Sequence, residues 1–255
     1  IPLSLPPIWD PELMAKEVVR VKAKGCNAVT FSEDPAKLGW PSLHSEHWDP
    51  FWKACVDNEM TIALHIGSSS QILMLDEAPI DVMITLTPMN LFQTAANLIW
   101  SPALKRFPKL QFALSEGGIG WLPYFLERID YVYERHRFWT GQDFGDQLPS
   151  QKARDNFTFC FIDDKAGIAN RELIGIDNIT WECDYPHSDS MWPTAPEAVM
   201  KHFDGVSDEH INKITYQNAM RAFNYDPFQH IKKEDATVGA LRAQATDVTT
   251  SRSEE

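Results

Sequence analysis

The chain has 255 residues with a formal net charge of −13, and 44% of them are hydrophobic. This length is enough for one large α/β domain with a sizeable core. The negative charge argues against surfaces that bind nucleic acid or anionic membranes, because both need clustered Lys and Arg. We therefore expect a soluble protein whose partner is a small molecule.

The four cysteines are widely separated along the chain and form no Cys-x-x-Cys pair: Cys26, Cys55, Cys160 and Cys183. This spacing predicts neither a disulfide framework nor a structural zinc knuckle, and it fits a reduced, cytoplasmic location. The chain also lacks the run of about 18 apolar residues that a membrane span needs.

The first elements follow a strand, helix, strand order. Residues 3–8 are predicted as a strand, and a helix is expected to begin at Asp10-Pro11, where a capping Asp precedes a first-turn proline. Gly25 then ends the helix, and residues 27–31 are predicted as the second strand. This order is the βαβ unit of parallel sheets.

A polar, aromatic loop occupies residues 32–50. Long loops in compact domains often carry function, so His44 and Trp48 are candidates for substrate contacts. The alternative for His44 is an ordinary solvated loop histidine.

The apolar run 61–66 is predicted as a strand with His65 at its carboxyl end, followed by Gly67 and Ser68. A histidine in this position needs a partner for its ring nitrogens, which a metal, a carboxylate or a backbone group can supply. His65 is therefore a candidate metal ligand and Ser68 a candidate substrate contact. A hydrogen-bonded core histidine is the alternative.

Residues 71–109 are predicted to be mostly helical, and the next strand, 110–115, ends in Ser115-Glu116 before a glycine-rich turn. Glycines there allow a close backbone approach to a ligand, or merely a tight turn. The glycine spacing is not that of a dinucleotide-binding loop. A helix over 124–137 is expected to follow.

Two further strands are predicted at 157–162 and 179–183. The first ends in Asp163-Asp164, which we interpret as a cap for the following helix. The second ends in Asp184, followed by Tyr185, Pro186 and His187. Asp184 is the leading candidate for a functional carboxylate, with a capping aspartate as the alternative, and Tyr185 and His187 are candidate substrate contacts.

The count of predicted strands is six, whereas a closed (β/α)8 barrel needs eight. An open doubly wound sheet of six strands is the structural rival. If the fold is a barrel, the two missing strands belong before residue 1. We expect residues 1–230 to form three-quarters of such a barrel and residues 231–255 to form a polar extension.

Five short motifs together resemble the amidohydrolase-related family, which includes aminocarboxymuconate-semialdehyde, resorcylate and carboxyvanillate decarboxylases. They are Trp9-Asp10-Pro11-Glu12, Trp48-Asp49-Pro50, Leu64-His65-Ile66-Gly67, Ser115-Glu116-Gly117-Gly118-Ile119-Gly120-Trp121 and Cys183-Asp184-Tyr185-Pro186-His187. The resemblance covers roughly residues 1–225. It implies a TIM barrel with one divalent metal ion, zinc, manganese or iron, at the carboxyl ends of the strands, and a homodimer or higher oligomer.

The resemblance places metal-ligand roles on His65 and Asp184. The family's first-strand His-x-His or Glu-x-His motif is absent from this sequence, in agreement with the strand count. The family's decarboxylases carry a proton-handling histidine where this chain has Glu116, so Glu116 and Asp184 are the expected catalytic groups.

The expected function is therefore a metal-dependent hydrolase or carboxy-lyase that acts on a small aromatic or unsaturated carboxylic acid. One alternative is metal-assisted hydrolysis of a C–N, C–O or C–C bond without decarboxylation. Another is a non-catalytic remnant, or a subunit that a second polypeptide completes.

Overall fold

The computed structural model describes residues 1–246 and 249, and its centre is one parallel sheet of six strands in the order β1-β2-β3-β4-β5-β6. Every neighbouring pair is parallel. The strands are β1 (Leu3–Ser4), β2 (Ala28–Ser32), β3 (Thr61–His65), β4 (Gln111–Ser115), β5 (Phe157–Phe161) and β6 (Ile179–Trp181). The six predicted strands are confirmed.

The strand order decides between the two predicted architectures. A doubly wound sheet reverses its order at a switch point, whereas here each strand adds to the same edge as in a (β/α)8 barrel. In the described residues β1 and β6 remain the two edges and do not pair with each other. The sheet is thus a barrel-type α/β arrangement that six strands leave open.

The register brings the carboxyl ends of the strands together. Ser32 of β2 is level with His65 of β3, and His65 is level with Ser115 of β4. Phe161 and Trp181 are level at the ends of β5 and β6. Polar residues that follow these positions consequently share one edge of the sheet.

Helices cover the sheet and fill most connections. They are α1 (Pro11–Lys22), α2 (Asp49–Asp57), α3 (Ile80–Leu86), α4 (Met89–Ile99), α5 (Ala103–Arg106), α6 (Leu122–Thr140), α7 (Pro149–Asn156), α8 (Lys165–Ala169), α9 (Arg171–Ile174), α10 (Ala195–Met200), α11 (Asp208–Asn212), α12 (Asn218–Ala222) and α13 (Val238–Gln244). The predicted caps form: Asp10 accepts the amides of Glu12 and Leu13, and Asp164 accepts the amide of Gly167. The interpretation of Asp164 as a helix cap is confirmed.

The core is strongly aromatic between the sheet and its first helices. Phe31 of β2 lies 4.9 Å from the ring of Trp48 and 5.3 Å from that of Trp52. Both tryptophans are fully buried. Edge-to-face pairs of this kind add directional packing to the burial of apolar area.

Two predicted element bounds are wrong. The first strand ends at Ser4 rather than at residue 8, because Pro6 and Pro7 have no N–H to donate to a neighbouring strand. The segment predicted to be mostly helical, 71–109, contains helices α3, α4 and α5, but its first nine residues, 71–79, are irregular.

The predicted extension from residue 231 includes helix α13. Arg242 of this helix forms an ion pair with Glu197 and donates to the carbonyl of Pro193. Residues 247, 248 and 250–255 of the predicted extension lie outside the described residues.

Candidate functional site

Three titratable side chains meet at the carboxyl edge of the sheet. His65 is the last residue of β3, Glu116 directly follows β4, and Asp184 follows β6. Both carboxylate residues have left-handed backbone angles, with φ of 64° at Glu116 and 57° at Asp184. Such angles are uncommon for residues other than glycine, and they cluster at sites where the fold constrains a side chain.

His65 and Glu116 form an ion pair. The imidazole Nε2 lies 2.5 Å from Glu116 Oε1, and Nδ1 lies 2.6 Å from the carbonyl oxygen of Ile66, to which it donates. The hydrogen bond to Glu116 raises the pKa of His65 to about 9, despite the opposing effect of burial. His65 is thus a cation at neutral pH in this arrangement, although half of its side chain is exposed.

The turn at Glu116 is fixed by groups from the two following strands. The backbone amide of Glu116 donates to Glu182 Oε1 at 2.9 Å, and Cys160 Sγ donates to the same oxygen at 2.9 Å. Burial raises the pKa of the Glu182 carboxyl, as it does that of the Cys160 thiol. Glu182 therefore lies beneath the site and holds the left-handed turn in place.

Glu116 itself is nearly buried, with 11% of its side chain exposed. Burial alone would raise the pKa of its carboxyl, but the hydrogen bond and charge of His65 outweigh burial and lower the pKa. Glu116 is therefore the ionised carboxylate that pairs with His65.

Asp184 is equally enclosed, with 13% of its side chain exposed, and its environment has the opposite effect. Burial raises the pKa of Asp184, and the negative charge of Glu116 raises it further. The Oδ2 atom lies 3.2 Å from Nδ1 of His187. This contact is an ion pair when the imidazole of His187 is protonated, and the buried Oδ2 makes no hydrogen bond to any described residue.

The arrangement agrees in part with a divalent metal site. An imidazole and carboxylates are ligand types that zinc and manganese accept, and the unpartnered Oδ2 of Asp184 has an unused lone pair. However, no three His, Cys, Asp or Glu side chains among the described residues are grouped so as to hold a metal ion. Nε2 of His65, the atom that would bind the metal, is paired with Glu116. The ligand atoms present are of the types that these metals bind, but they are too few to hold a metal ion by themselves.

A cavity of about 400 Å³ opens beside Glu116. Met89, Trp121 and Ile162 give it apolar walls, and Asp163 and Asp189 lie at its polar side. A volume of this size is enough for a small molecule. A larger cavity, of about 960 Å³, lies at the opposite ends of the strands, and none of the predicted site residues lines it.

The predicted substrate contacts are divided between the site and other places. His187 is beside Asp184, and Tyr185 is exposed and packs against Trp192 at 4.9 Å. Ser68 lies in the loop after His65, where its hydroxyl accepts the amide of Glu33 at 2.9 Å.

Two predicted contacts lie away from the strand ends that carry His65, Glu116 and Asp184. His44 is exposed and pairs with Asn97 at 3.1 Å. Trp48 belongs to the aromatic core, and its indole donates to the carbonyls of Pro41 and Ser42. It has no exposed surface with which to contact a substrate.

Two glutamates of this edge were not among the predicted site residues. They are Glu182, which is half-buried, and Glu33, which is buried directly after β2. Glu33 accepts the hydroxyl of Ser69 at 2.7 Å and so anchors the loop that follows His65. A glutamate next to a buried apolar strand was the signal in both cases, since an unpaired carboxylate there is costly.

No helix among the described residues is long and apolar enough to cross a membrane. The comparison with curated protein sequences finds no match.

Solved structures with the same fold include a 5-carboxyvanillate decarboxylase from Sphingomonas paucimobilis, with 20% identity and a TM-score of 0.70 over 88% of this chain and 66% of that one. An amidohydrolase from Mycobacterium avium subsp. paratuberculosis K-10 has 22% identity and a TM-score of 0.72 over 88% of this chain and 57% of that one. A dihydroxybenzoic acid decarboxylase from Polaromonas sp. JS666, solved with bound manganese and the inhibitor 2-nitroresorcinol, has 21% identity and a TM-score of 0.65 over 87% and 68%. The chain thus spans 57 to 68% of the length of these structures.

The sequence profile of the amidohydrolase family matches residues 1–225, which is most of the chain and includes all six strands and all three converging side chains. This match agrees with the barrel-type strand order and with the resemblance seen in the motifs. The chain therefore belongs to the amidohydrolase family.

Proposed function

We propose that this chain carries the larger part of a metal-dependent carboxy-lyase that removes carbon dioxide from a small aromatic or unsaturated carboxylic acid. The observation that carries the proposal is the meeting of His65, Glu116 and Asp184 at the carboxyl edge of a barrel-type sheet. In barrels of this kind the active site lies at that edge. The decarboxylases among the solved structures with the same fold support the type of reaction.

His65 and Asp184 are the residues that would hold the metal ion. A divalent cation at this place supplies Lewis acidity for a carboxylate or carbonyl oxygen of the substrate. Catalytic zinc sites usually have three protein ligands and keep one position for water or substrate, so at least one further protein ligand would be needed. The cytoplasm as the location, and a homodimer or higher oligomer as the assembly, also remain predictions.

Glu116 handles the proton in the proposed reaction. When the C–C bond to the leaving carboxylate breaks, its electron pair stays on the ring carbon, which then takes up one proton. With a metal ion on His65 the ion pair with Glu116 would be lost, and burial, which opposes the effect of His65 here, would act to raise the pKa of Glu116. A buried carboxyl with a raised pKa is suited to donate that proton.

Hydrolysis without decarboxylation is the second candidate, and the ionised state of Glu116 favours it. With its pKa lowered by His65, Glu116 is a base that can take a proton from an attacking water. The two reactions differ in their products, since only hydrolysis incorporates oxygen from water.

The test begins with protein expressed with the flanking sequence of its own gene. Metal content per chain is measured by elemental analysis, and turnover is measured with 5-carboxyvanillate and 2,6-dihydroxybenzoate as probe acids. We expect about one metal ion per chain and release of carbon dioxide. Labelled oxygen from solvent water in the product would support hydrolysis instead.

Two variants and one control complete the test. His65→Ala and Asp184→Ala are expected to lose the metal, whereas His44→Ala, an exposed histidine bonded to Asn97, should retain it. Metal at wild-type level in the first two variants would contradict the ligand assignment. No metal and no turnover in the wild-type protein would favour the non-catalytic alternatives.

A further inference from the structure

The chain between β3 and α4 includes an apolar segment, residues 70–89, that is not packed into the core. Ten of its twenty residues are Ile, Leu, Met or Val, and none of the twenty is buried. Ile72, Leu75, Ile80 and Ile84 are each more than half exposed. Burial of such side chains is strongly favourable, so this arrangement leaves a large stabilising contribution unused.

Both ends of the apolar segment are held by one carboxylate oxygen. Oε1 of Glu33 accepts the hydroxyl of Ser69 at 2.7 Å and the side-chain amide of Asn90 at 3.3 Å. Ser69 and Asn90 are buried, and they directly precede and follow the segment. Because Glu33 follows β2 at the carboxyl edge of the sheet, the segment is anchored there at two points and is free of the core between them.

The hydrogen bonding of these anchors is incomplete. Oε2 of Glu33 and Oδ1 of Asn90 are buried and form no hydrogen bond with any described residue. A buried acceptor without a partner costs free energy. An arrangement in which donors of the segment reach these two atoms recovers that cost, so a second position of the segment can compete with the present one.

The apolar segment leads to the candidate site. It begins shortly after His65, and its last two residues, Pro88 and Met89, line the cavity beside Glu116. The segment contains three acidic residues and no Lys or Arg, so an anionic membrane is not a suitable partner for its apolar side chains. The surface within its reach is the mouth of the cavity.

We propose that the apolar segment is a lid that folds over this cavity when a small carboxylic acid is bound, with Ile80 and Ile84 covering the ligand. Ser69 and Asn90 stay on Glu33 as hinges while the residues between them move. Closure buries apolar side chains that are now exposed and excludes water from the reacting groups. The identity of the ligand rests on the proposed function, whereas the movement of the segment does not.

Hydrogen exchange followed by mass spectrometry tests whether the segment moves as one unit. The protein is expressed with the flanking sequence of its own gene and kept free of ligand. The hydrogen-bonded amides of α3, which lies within the segment, should exchange together and about 100-fold faster than those of β3 and β4. Exchange of α3 at the rate of the sheet would overturn the proposal.

A substitution at one anchor tests the hinge. Ser69→Ala removes a donor to Glu33 and should speed exchange of the apolar segment about tenfold. The matched control is Ser101→Ala, because Ser101 is also buried, donates to the carbonyl of Leu43 at 3.0 Å and, like Ser69, accepts the amide two residues further on. Equal exchange of the segment in wild type and Ser69→Ala would overturn the hinge and with it the lid.

A bound acid tests what the lid covers. Binding of 2,6-dihydroxybenzoate and 5-carboxyvanillate is measured by calorimetry, and the bound acid should slow exchange of the apolar segment about tenfold or more. Binding without slower exchange would overturn the lid and leave the proposed function intact. If neither acid binds, the proposed function and the closure both fail. Slower exchange at higher protein concentration without acid would show that a second copy covers the segment, which would also overturn the lid.

Two exposed residues of the lid test the contact with the ligand. Ile80→Ser/Ile84→Ser should raise the Kd of the bound acid about tenfold or more, because two apolar side chains no longer cover it. Both residues are exposed without ligand, so the urea midpoint should stay unchanged, which a structural role would not allow. The control, Val19→Ser/Leu173→Ser, replaces similarly exposed residues of α1 and α9 and should leave the Kd unchanged. Equal Kd values for wild type and the lid variant would overturn the proposal.

Discussion

The ends of β4 and β6 carry the same chemical group on the same kind of backbone, yet the pKa values of the two carboxyls are shifted in opposite directions. Glu116 and Asp184 both have left-handed angles and little exposed surface. Glu116 has a cationic partner in His65, which lowers its pKa, whereas Asp184 has an unpartnered oxygen and a raised pKa. Neighbouring groups rather than burial alone separate the two, in the way that acid and base roles are divided in many active sites.

Removal of the proton-handling group should have the largest effect. If Glu116 transfers a proton in the reaction, Glu116→Gln should lower kcat about 100- to 10,000-fold and leave metal content unchanged. Asp184→Asn should lower metal content as well. Steady-state kinetics with parallel elemental analysis checks this. A Glu116→Gln enzyme with wild-type kcat would show that Glu116 only forms the turn and does not transfer a proton.

The support beneath Glu116 offers the next test. Glu182→Leu removes the acceptor of the Glu116 amide and of the Cys160 thiol, so we expect a loss of about 1–3 kcal/mol in the free energy of unfolding. Glu182→Gln keeps an acceptor oxygen and should lose less. Urea denaturation measures both, and equal stability of wild type and Glu182→Leu would mean that the turn at Glu116 does not depend on this hydrogen bond.

The ion pair at the end of β3 predicts a pH dependence of metal-free protein. The folded-state pKa of His65, about 9, is above its ordinary value of 6.5. The stability that this pair contributes is therefore fully present below about pH 6.5 and is lost as the pH rises through about 9. NMR titration of the imidazole should show the raised pKa.

Glu116→Gln serves as the control for this titration. Without the carboxylate, the pKa of His65 should fall toward the ordinary value, and the stability of the variant should change less between pH 6.5 and 9. A pKa near 6.5 in the unaltered protein would contradict the ion pair.

We expect the smallest effect from a substitution of His187, the exposed histidine beside Asp184. His187 is 58% exposed, and its positive charge lowers the pKa of Asp184 against the larger effect of burial. His187→Gln should raise the pKa of Asp184 slightly and change stability little. NMR titration of the aspartate carboxyl carbon checks this, and a lowered pKa would contradict the sign.

Much of the fold was predictable because strand ends have a local signature. Apolar runs that break into polar residues located five of the six strands to within about two residues at each end, and they placed His65, Glu116 and Asp184 at the carboxyl edge. The failures were also local in origin. Two prolines shortened β1, and the helical part of the segment predicted from residue 71 begins only at Ile80, directly after Pro79.

The candidate site was less completely predictable. Sequence spacing does not reveal that Glu182 accepts the amide of Glu116, because the two residues are 66 positions apart and meet only when β4, β5 and β6 align. The sequence also does not reveal that Trp48 packs against Phe31 and so belongs to the core instead of contacting a substrate. Its position in a polar loop gave no sign of that burial.

The sequence by itself determined the type of each element, the six parallel strands and the identity of the titratable groups at their ends, since these follow from local polarity and hydrophobic pattern. Only the tertiary structure decided which of those groups meet and in which direction the pKa of each one is shifted. The pairing of His65 with Glu116, and the isolation of one oxygen of Asp184, depend on distances between strands that are far apart in the chain. A pKa is set by such distances and by burial, and neither is encoded in the local sequence.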